Sequence, residues 1–80
     1  MNKIKIKKIV IEIVTKILKT KKIKNNTKSK NVMEWDSLAY LSIISDIEKK
    51  FKIRIDIKNI ENFNSINNIT SEISKWKKKV

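Results

Sequence analysis

Apolar residues recur three and four positions apart near the start of the chain. They are Ile6, Ile9, Val10, Ile13, Val14 and Ile17, within residues 4–18. This spacing places side chains on one face of a helix. The run Ile4–Lys7 alternates, and isoleucine favours strands, so a strand is the local alternative. Because the helical pattern continues well beyond that run without a turn signal, we predict a helix over about residues 4–19.

Residues 37–51 show the clearest helical pattern in the chain. Polar side chains fall mainly on one side, and the predicted buried stripe comprises Leu38, Leu41, Ile43, Ile44, Ile47 and Phe51. Asp36 immediately precedes this segment, and a carboxylate at that position can accept hydrogen bonds from the free N–H groups of the first helical turn. We therefore predict a helix over residues 37–51 with Asp36 as its N-cap.

Between these helices, residues 20–35 are mostly polar and basic, which predicts a long loop. Ile23, Val32 and Met33 are its expected apolar anchors. The chain contains no glycine, so we expect asparagine at any left-handed backbone position, since asparagine visits that conformation more readily than most residues.

The last third of the chain begins with an alternation of apolar residues over residues 51–57. Considered alone, this pattern is typical of a strand. It has no convincing partner strand unless the N-terminal alternation supplies one, so we favour an extended connector. A short helix over about residues 58–63 is predicted next, with Ile60 and Phe63 facing inward.

A final helix is predicted over about residues 65–78, capped by Asn64 or Ser65. Steps of three, four and three define its buried seam of Ile66, Ile69, Ile73 and Trp76. The order is therefore helix, long loop, helix, short helix, helix. With 80 residues, the chain is long enough for a single domain.

The net charge of +12 is unevenly distributed. Residues 1–33 contain eleven Lys and one Glu, whereas residues 34–48 contain four acidic residues and no Lys or Arg. The basic segment suggests an alternative function, in which the Lys-rich N-terminus binds nucleic acid or another anionic surface. However, residues 1–33 lack the aromatic side chains on which single-stranded bases stack.

Composition also restricts the chemistry of the chain. It contains no Cys and no His, which excludes cysteine nucleophiles, histidine bases and the usual zinc ligands. No apolar run approaches the ~20 residues of a membrane span, so we expect a cytoplasmic protein. Any reactive group beyond hydroxyls, amines and carboxylates must therefore be imported. Ser37 is a candidate attachment point because a helix N-terminus favours a phosphate ester, although serines there are more often caps or solvent-facing residues.

A larger pattern surrounds Ser37. Asp36-Ser37-Leu38 is followed by an apolar helix ending in acidic residues and Phe51, an isoleucine-containing connector, and a final helix opened by Ser65-Ile66. From Trp35 to Ile73 the chain thereby resembles the acyl carrier protein family, including peptidyl and D-alanyl carriers. The resemblance implies an all-α, small four-helix bundle with three longer helices, a short third helix and a long loop after the first.

The resemblance also implies a non-catalytic, monomeric carrier. Ser37 would receive 4′-phosphopantetheine from coenzyme A through a magnesium-dependent phosphopantetheinyl transferase, with Asp36 and Leu38 as the flanking motif. The thiol of the arm would hold acyl or aminoacyl groups as thioesters for the loading and processing enzymes of fatty-acid, polyketide, nonribosomal or cell-envelope biosynthesis. The resemblance does not distinguish between these classes of cargo.

Several positions depart from the common family pattern. Glu34 stands three residues before Ser37, where the family often has glycine. Tryptophan at position 35 resembles the pattern of free-standing carriers of specialised pathways more than that of the housekeeping fatty-acid carrier. We predict a partner-docking surface that includes Glu34, Trp35, Tyr40, Asp46 and Glu48. We predict that Trp35 packs as a plug of the loop against the bundle rather than contacting substrate directly. We predict that Tyr40 lies on a partly exposed flank of its helix.

Overall fold

The computed structural model describes residues 2–20, 23–56 and 61–78, with side chains up to residue 76. It contains helices α1 (Lys3–Leu18), α2 (Ser37–Phe51) and α3 (Ile66–Lys78), and a 3₁₀ turn at Ser29–Asn31. These described residues form no strand, which confirms the all-α prediction and excludes a strand at the start of the chain. The described part contains three α-helices rather than four. Residues 58–60 of the predicted short helix lie outside it, and residues 61–62 have 3₁₀ geometry.

Helix α1 contacts both α2 and α3. Its buried side chains recur every fourth residue, at Ile6, Val10, Val14 and Leu18. Buried isoleucines of α2 and α3 complete the same core: Ile43, Ile44, Ile47, Ile66, Ile69 and Ile73. Each such side chain stabilises the fold by about 1.5–3 kcal/mol relative to its exposed state. Among the described residues, no helix has the length and apolar character needed to cross a bilayer.

The buried face of α2 differs from the predicted stripe. Leu38 is 77% exposed and Leu41 is 57% exposed. The buried residues Ile43, Ile44, Ile47 and Phe51 centre on a face that, by helical geometry, points about 100° or more away from both leucines. The two leucines were predicted to be buried, and that prediction was wrong because α2 turns a neighbouring face toward the core.

Two further apolar residues are also more exposed than predicted. Met33 is 90% exposed although it was expected to anchor the loop, and Trp76 is 37% exposed although it was placed in the buried seam of α3. The buried seam of α3 therefore comprises Ile66, Ile69 and Ile73, without Trp76.

The long loop before α2 is tied to the start of α3. The Ser29 N–H donates to the Asn64 carbonyl at 2.7 Å, and the Ile66 N–H donates to the Thr27 carbonyl at 3.0 Å. Ile23, Val32 and Trp35 are buried, and the Trp35 N–H donates to the Val32 carbonyl at 3.0 Å. These contacts therefore hold residues 35–37 in a fixed position at the start of α2. The predicted anchoring roles of Ile23 and Val32 are confirmed.

Helices α1 and α2 both end on a lysine with left-handed backbone geometry. The φ angles are 53° at Lys19 and 55° at Lys52. Each N–H closes the last helical turn, by donating to the Thr15 carbonyl and the Glu48 carbonyl respectively. The expectation of asparagine at such positions was wrong in both cases. Without glycine in the chain, each lysine adopts a conformation that costs about 1–2 kcal/mol.

Glycine at position 52 should relieve this strain. We predict that Lys52→Gly stabilises the protein by up to about 1 kcal/mol, because the gain of about 1–2 kcal/mol exceeds the extra flexibility of glycine in the unfolded chain. Lys50→Gly is the matched control, since Lys50 is an exposed residue inside α2, where glycine costs about 1 kcal/mol. Urea unfolding of both variants measures the difference. Equal destabilisation by the two substitutions would contradict the strain argument.

Candidate functional site

Ser37 is the first residue of α2, and its side chain is exposed. The cap of this helix is Asp36, whose Oδ1 accepts a hydrogen bond from the Ala39 N–H at 2.9 Å, as predicted. The first backbone bond of the helix runs from the Tyr40 N–H to the Asp36 carbonyl at 2.9 Å. The N–H groups of Ser37 and Leu38 therefore have no partner from the helix itself.

The Ser37 hydroxyl takes no part in capping. Asp36 already supplies the side-chain acceptor, and the described residues offer the Ser37 Oγ no hydrogen bond. Ser65 provides a comparison at the start of α3. It is 7% exposed, and its Oγ accepts the Asn68 N–H at 3.0 Å. Of these two helix-start serines, only Ser37 presents an unused hydroxyl to solvent.

A shallow pocket of about 350 Å³ lies beside Ser37. Its wall comprises Ser29, Trp35, Asp36, Ser37, Tyr40 and Leu41. Trp35 is 6% exposed, which confirms its predicted role as a plug of the loop against the bundle. Tyr40 is half-buried, as expected for a flank. Ser29 was missed from the sequence because no local pattern shows that the loop returns to the start of α2.

Two polar atoms around this pocket are covered without a well-formed hydrogen bond to the described residues. They are the Trp35 Nε1 and the Tyr40 Oη. The backbone of Phe63 approaches the Tyr40 oxygen closely enough to lower the pKa of the phenol, but outside hydrogen-bond geometry. Burial has the largest effect and the Glu61 carboxylate adds to it, so the net pKa of Tyr40 is raised.

Exposed apolar side chains concentrate near Ser37. Leu38 and Leu41 are neighbours on the surface of α2, since residues three apart lie side by side on a helix. Met33 is exposed in the preceding turn of the loop. The paired leucines are a candidate contact surface, because contiguous exposed apolar patches mark interaction sites when they are large. The exposure of Leu41 and Met33 is the second feature of the site that sequence reasoning missed.

The structure separates the predicted docking residues. Glu34 is exposed in the loop before Ser37. Asp46, nine residues after Ser37, lies about two and a half turns along α2 and therefore on the opposite face. It lines a different groove of about 440 Å³ with Ile9, Glu12, Ile13, Lys16, Lys49 and Lys50.

Glu48 lies on the Ser37 side of α2, about three turns farther along the helix. Its Oε2 accepts the Ile55 N–H at 2.9 Å, so one carboxylate oxygen holds the connector after α2. The cluster around Ser37 thus contains Trp35, Asp36, Leu38 and Tyr40, with Glu34 beside it in sequence, whereas Asp46 faces elsewhere.

Tyr40 is the sole tyrosine of the chain, so its ionisation can be followed directly. We predict that its phenol titrates above pH 10, because burial disfavours the phenolate. An unfolded tyrosine ionises near pH 10, so this contribution to stability is complete below that pH and is lost as the pH rises through the raised pKa. Absorbance at alkaline pH measures the titration, with Tyr40→Phe as the blank. A midpoint at or below that of free tyrosine would contradict the packing of Tyr40.

Comparison with known proteins identifies the family. A family model described as a phosphopantetheine attachment site matches residues 8–73. No curated protein and no solved structure matches the chain. The matched segment extends beyond the Trp35–Ile73 resemblance to include most of α1, and it covers most of the chain. The predicted family and the predicted cofactor are both confirmed.

The residues present fit the cofactor of this family. The exposed hydroxyl of Ser37 at the start of α2 can form a phosphate ester. The adjoining pocket has room for part of the phosphopantetheine chain. The covered indole N–H of Trp35 lacks an acceptor among the described residues. Members of the family carry 4′-phosphopantetheine covalently, are not themselves catalysts, and interact with enzymes that modify and process them. The chain belongs to the family of phosphopantetheine-binding carrier proteins.

Proposed function

We propose that Ser37 is the attachment residue of a free-standing acyl or aminoacyl carrier. The observation that carries this proposal is the unused hydroxyl of Ser37 at the start of α2, where Asp36 alone provides the cap. A modifying enzyme needs access to a nucleophile that is not engaged elsewhere. Ser37 satisfies this requirement, and Ser65 does not, since its Oγ is buried and hydrogen-bonded.

The surroundings of Ser37 also suit the product of the modification. The N–H groups of Ser37 and Leu38 and the positive end of the α2 dipole favour the negative charge of a phosphate. In the transfer, the Ser37 oxygen bonds to the phosphorus next to the pantetheine unit, and the nucleotide part of coenzyme A leaves. The hydroxyl proton passes to a base outside this chain. A magnesium-dependent phosphopantetheinyl transferase is the proposed catalyst.

The bound arm supplies a terminal thiol that holds cargo as a thioester, a group that a chain without cysteine cannot provide itself. The cargo belongs to fatty-acid or specialised biosynthesis, with polyketide, nonribosomal and cell-envelope pathways as the specialised classes. We further propose that residues 1–80 act as one monomeric domain in the cytoplasm, with a short helix after the connector as the fourth element of the bundle.

The partner-docking surface is proposed around the start of α2. Leu38 supplies apolar contact area, with Leu41 and Met33 also exposed nearby, while Glu34 and Asp36 supply negative charge. Tyr40 and Trp35 border the same pocket. Acidic residues near the attachment point would speed encounter with basic partner enzymes and make it sensitive to salt. Glu48 extends this surface along α2, whereas Asp46 would contribute only to a partner that also reaches the groove beside α1.

The attachment residue can be tested by intact-mass measurement. After incubation with coenzyme A, magnesium and a promiscuous transferase, we expect the wild-type protein to gain one phosphopantetheinyl group. Ser37→Ala should gain none, because its β-carbon carries no nucleophile. Ser42→Ala is the matched control, since Ser42 is an exposed serine on the same helix, and it should be modified like the wild type.

Circular dichroism of Ser37→Ala establishes that the variant is folded before the result is interpreted. Modification of Ser37→Ala to the wild-type extent would overturn the assignment of Ser37. An unmodified wild-type protein would overturn the proposed carrier function of this chain.

A further inference from the structure

The side chain of Trp35 has an unexplained polar group. The residue is 6% exposed, yet its Nε1 is covered and bonds to no described residue. A buried N–H without an acceptor costs about 1–3 kcal/mol, and native structures contain few such groups. Phenylalanine would fill much of the same space without that cost. Packing alone therefore does not explain why position 35 holds tryptophan, with its indole N–H, rather than phenylalanine.

The position of Trp35 suggests what that reason is. The residue lies two positions before Ser37, and both side chains line the pocket of about 350 Å³ beside α2. The backbone bond from Trp35 to Val32 and the ties between the loop and α3 hold this segment in place. A chain attached to Ser37 therefore begins at the mouth of a pocket whose wall contains the indole ring.

The proposed modification would bring matching chemistry to this pocket. A phosphopantetheine arm carries acceptor oxygens on its phosphate and on its amide carbonyls, with a branched apolar segment between them. Leu41 and the rings of Trp35 and Tyr40 offer apolar surface to that segment. The pocket lies at the lower end of the size range of small-molecule sites, so it suits the first part of the arm and leaves the thiol end outside.

We propose that the Trp35 indole N–H donates a hydrogen bond to an oxygen of the arm and holds the first part of the arm against the Trp35–Tyr40–Leu41 wall. This inference rests on the proposed attachment at Ser37. In the unmodified chain the nitrogen is covered, so a small outward movement of the indole accompanies the contact. Trp35 is then a positioning residue for the arm, and the cost of its unpaired N–H is removed on modification.

Nitrogen-15 NMR of the intact chain tests this proposal, because its two tryptophans give two indole N–H signals. Trp76→Phe identifies which signal belongs to Trp35. After complete modification, verified by mass, we expect the Trp35 indole proton to move downfield and its exchange with water to slow at least several-fold. The Trp76 signal of the wild type should stay in place, which makes this exposed tryptophan the internal control.

Trp35→Phe keeps an aromatic plug but removes the donor. After complete modification of this variant, verified by mass, we expect its arm to be more mobile in NMR relaxation measurements than the arm of the wild type. The acceptor is identified by comparing the two modified proteins. A difference in the phosphorus-31 shift indicates the phosphate, and a difference in the shift of a carbon-13-labelled carbonyl indicates an amide of the arm.

The outcomes separate this inference from the proposed function. If the wild type is fully modified but its Trp35 indole signal and exchange rate are unchanged, the hydrogen bond is disproved and the carrier function stands. Equal arm mobility in the wild type and Trp35→Phe would disprove the positioning role in the same way. If Trp35→Phe does not fold, the indole signals of the wild-type protein before and after modification decide the question alone.

Discussion

The hydrogen bond between the Asp36 carboxylate and the Ala39 N–H determines what the start of α2 can do. A helix begins with N–H groups that have no partner inside the helix, and a side chain before it usually satisfies one of them. When Asp36 takes that role, the next residue is released from it. Ser37 can then present its hydroxyl outward, next to backbone N–H groups that remain available for an anion.

This arrangement depends on a loop that is long but well anchored. Ile23, Val32 and Trp35 bury their side chains, and backbone bonds join the loop to the beginning of α3. The core thus fixes Ser37 without covering it. The same geometry leaves Leu38 and Leu41 exposed, so the proposed attachment residue and an exposed apolar surface lie together on one side of α2.

Much of the fold follows from local pattern. The spacing of apolar residues predicted three helices, and the identity of Asp36 predicted the start of α2, because period and capping are properties of short segments. Burial between helices depends on tertiary packing rather than on local sequence: α2 directs Ile43 and Ile47 inward rather than Leu38 and Leu41, and α3 leaves Trp76 37% exposed. The left-handed lysines escaped prediction because the absence of glycine leaves that conformation to whichever residue follows the helix.

The candidate site was predictable only in part, because some of its residues follow from local pattern and others from tertiary packing. Asp36-Ser37-Leu38 lies within one turn, so its pattern can be read directly, whereas Ser29 joins the pocket only through the path of the loop. Tandem mass spectrometry of the modified protein tests most directly whether Ser37 is the attachment residue. We expect fragment ions that place the phosphopantetheinyl group on Ser37. Fragments that place the group on another serine, such as Ser42 or Ser45, would contradict the assignment of Ser37.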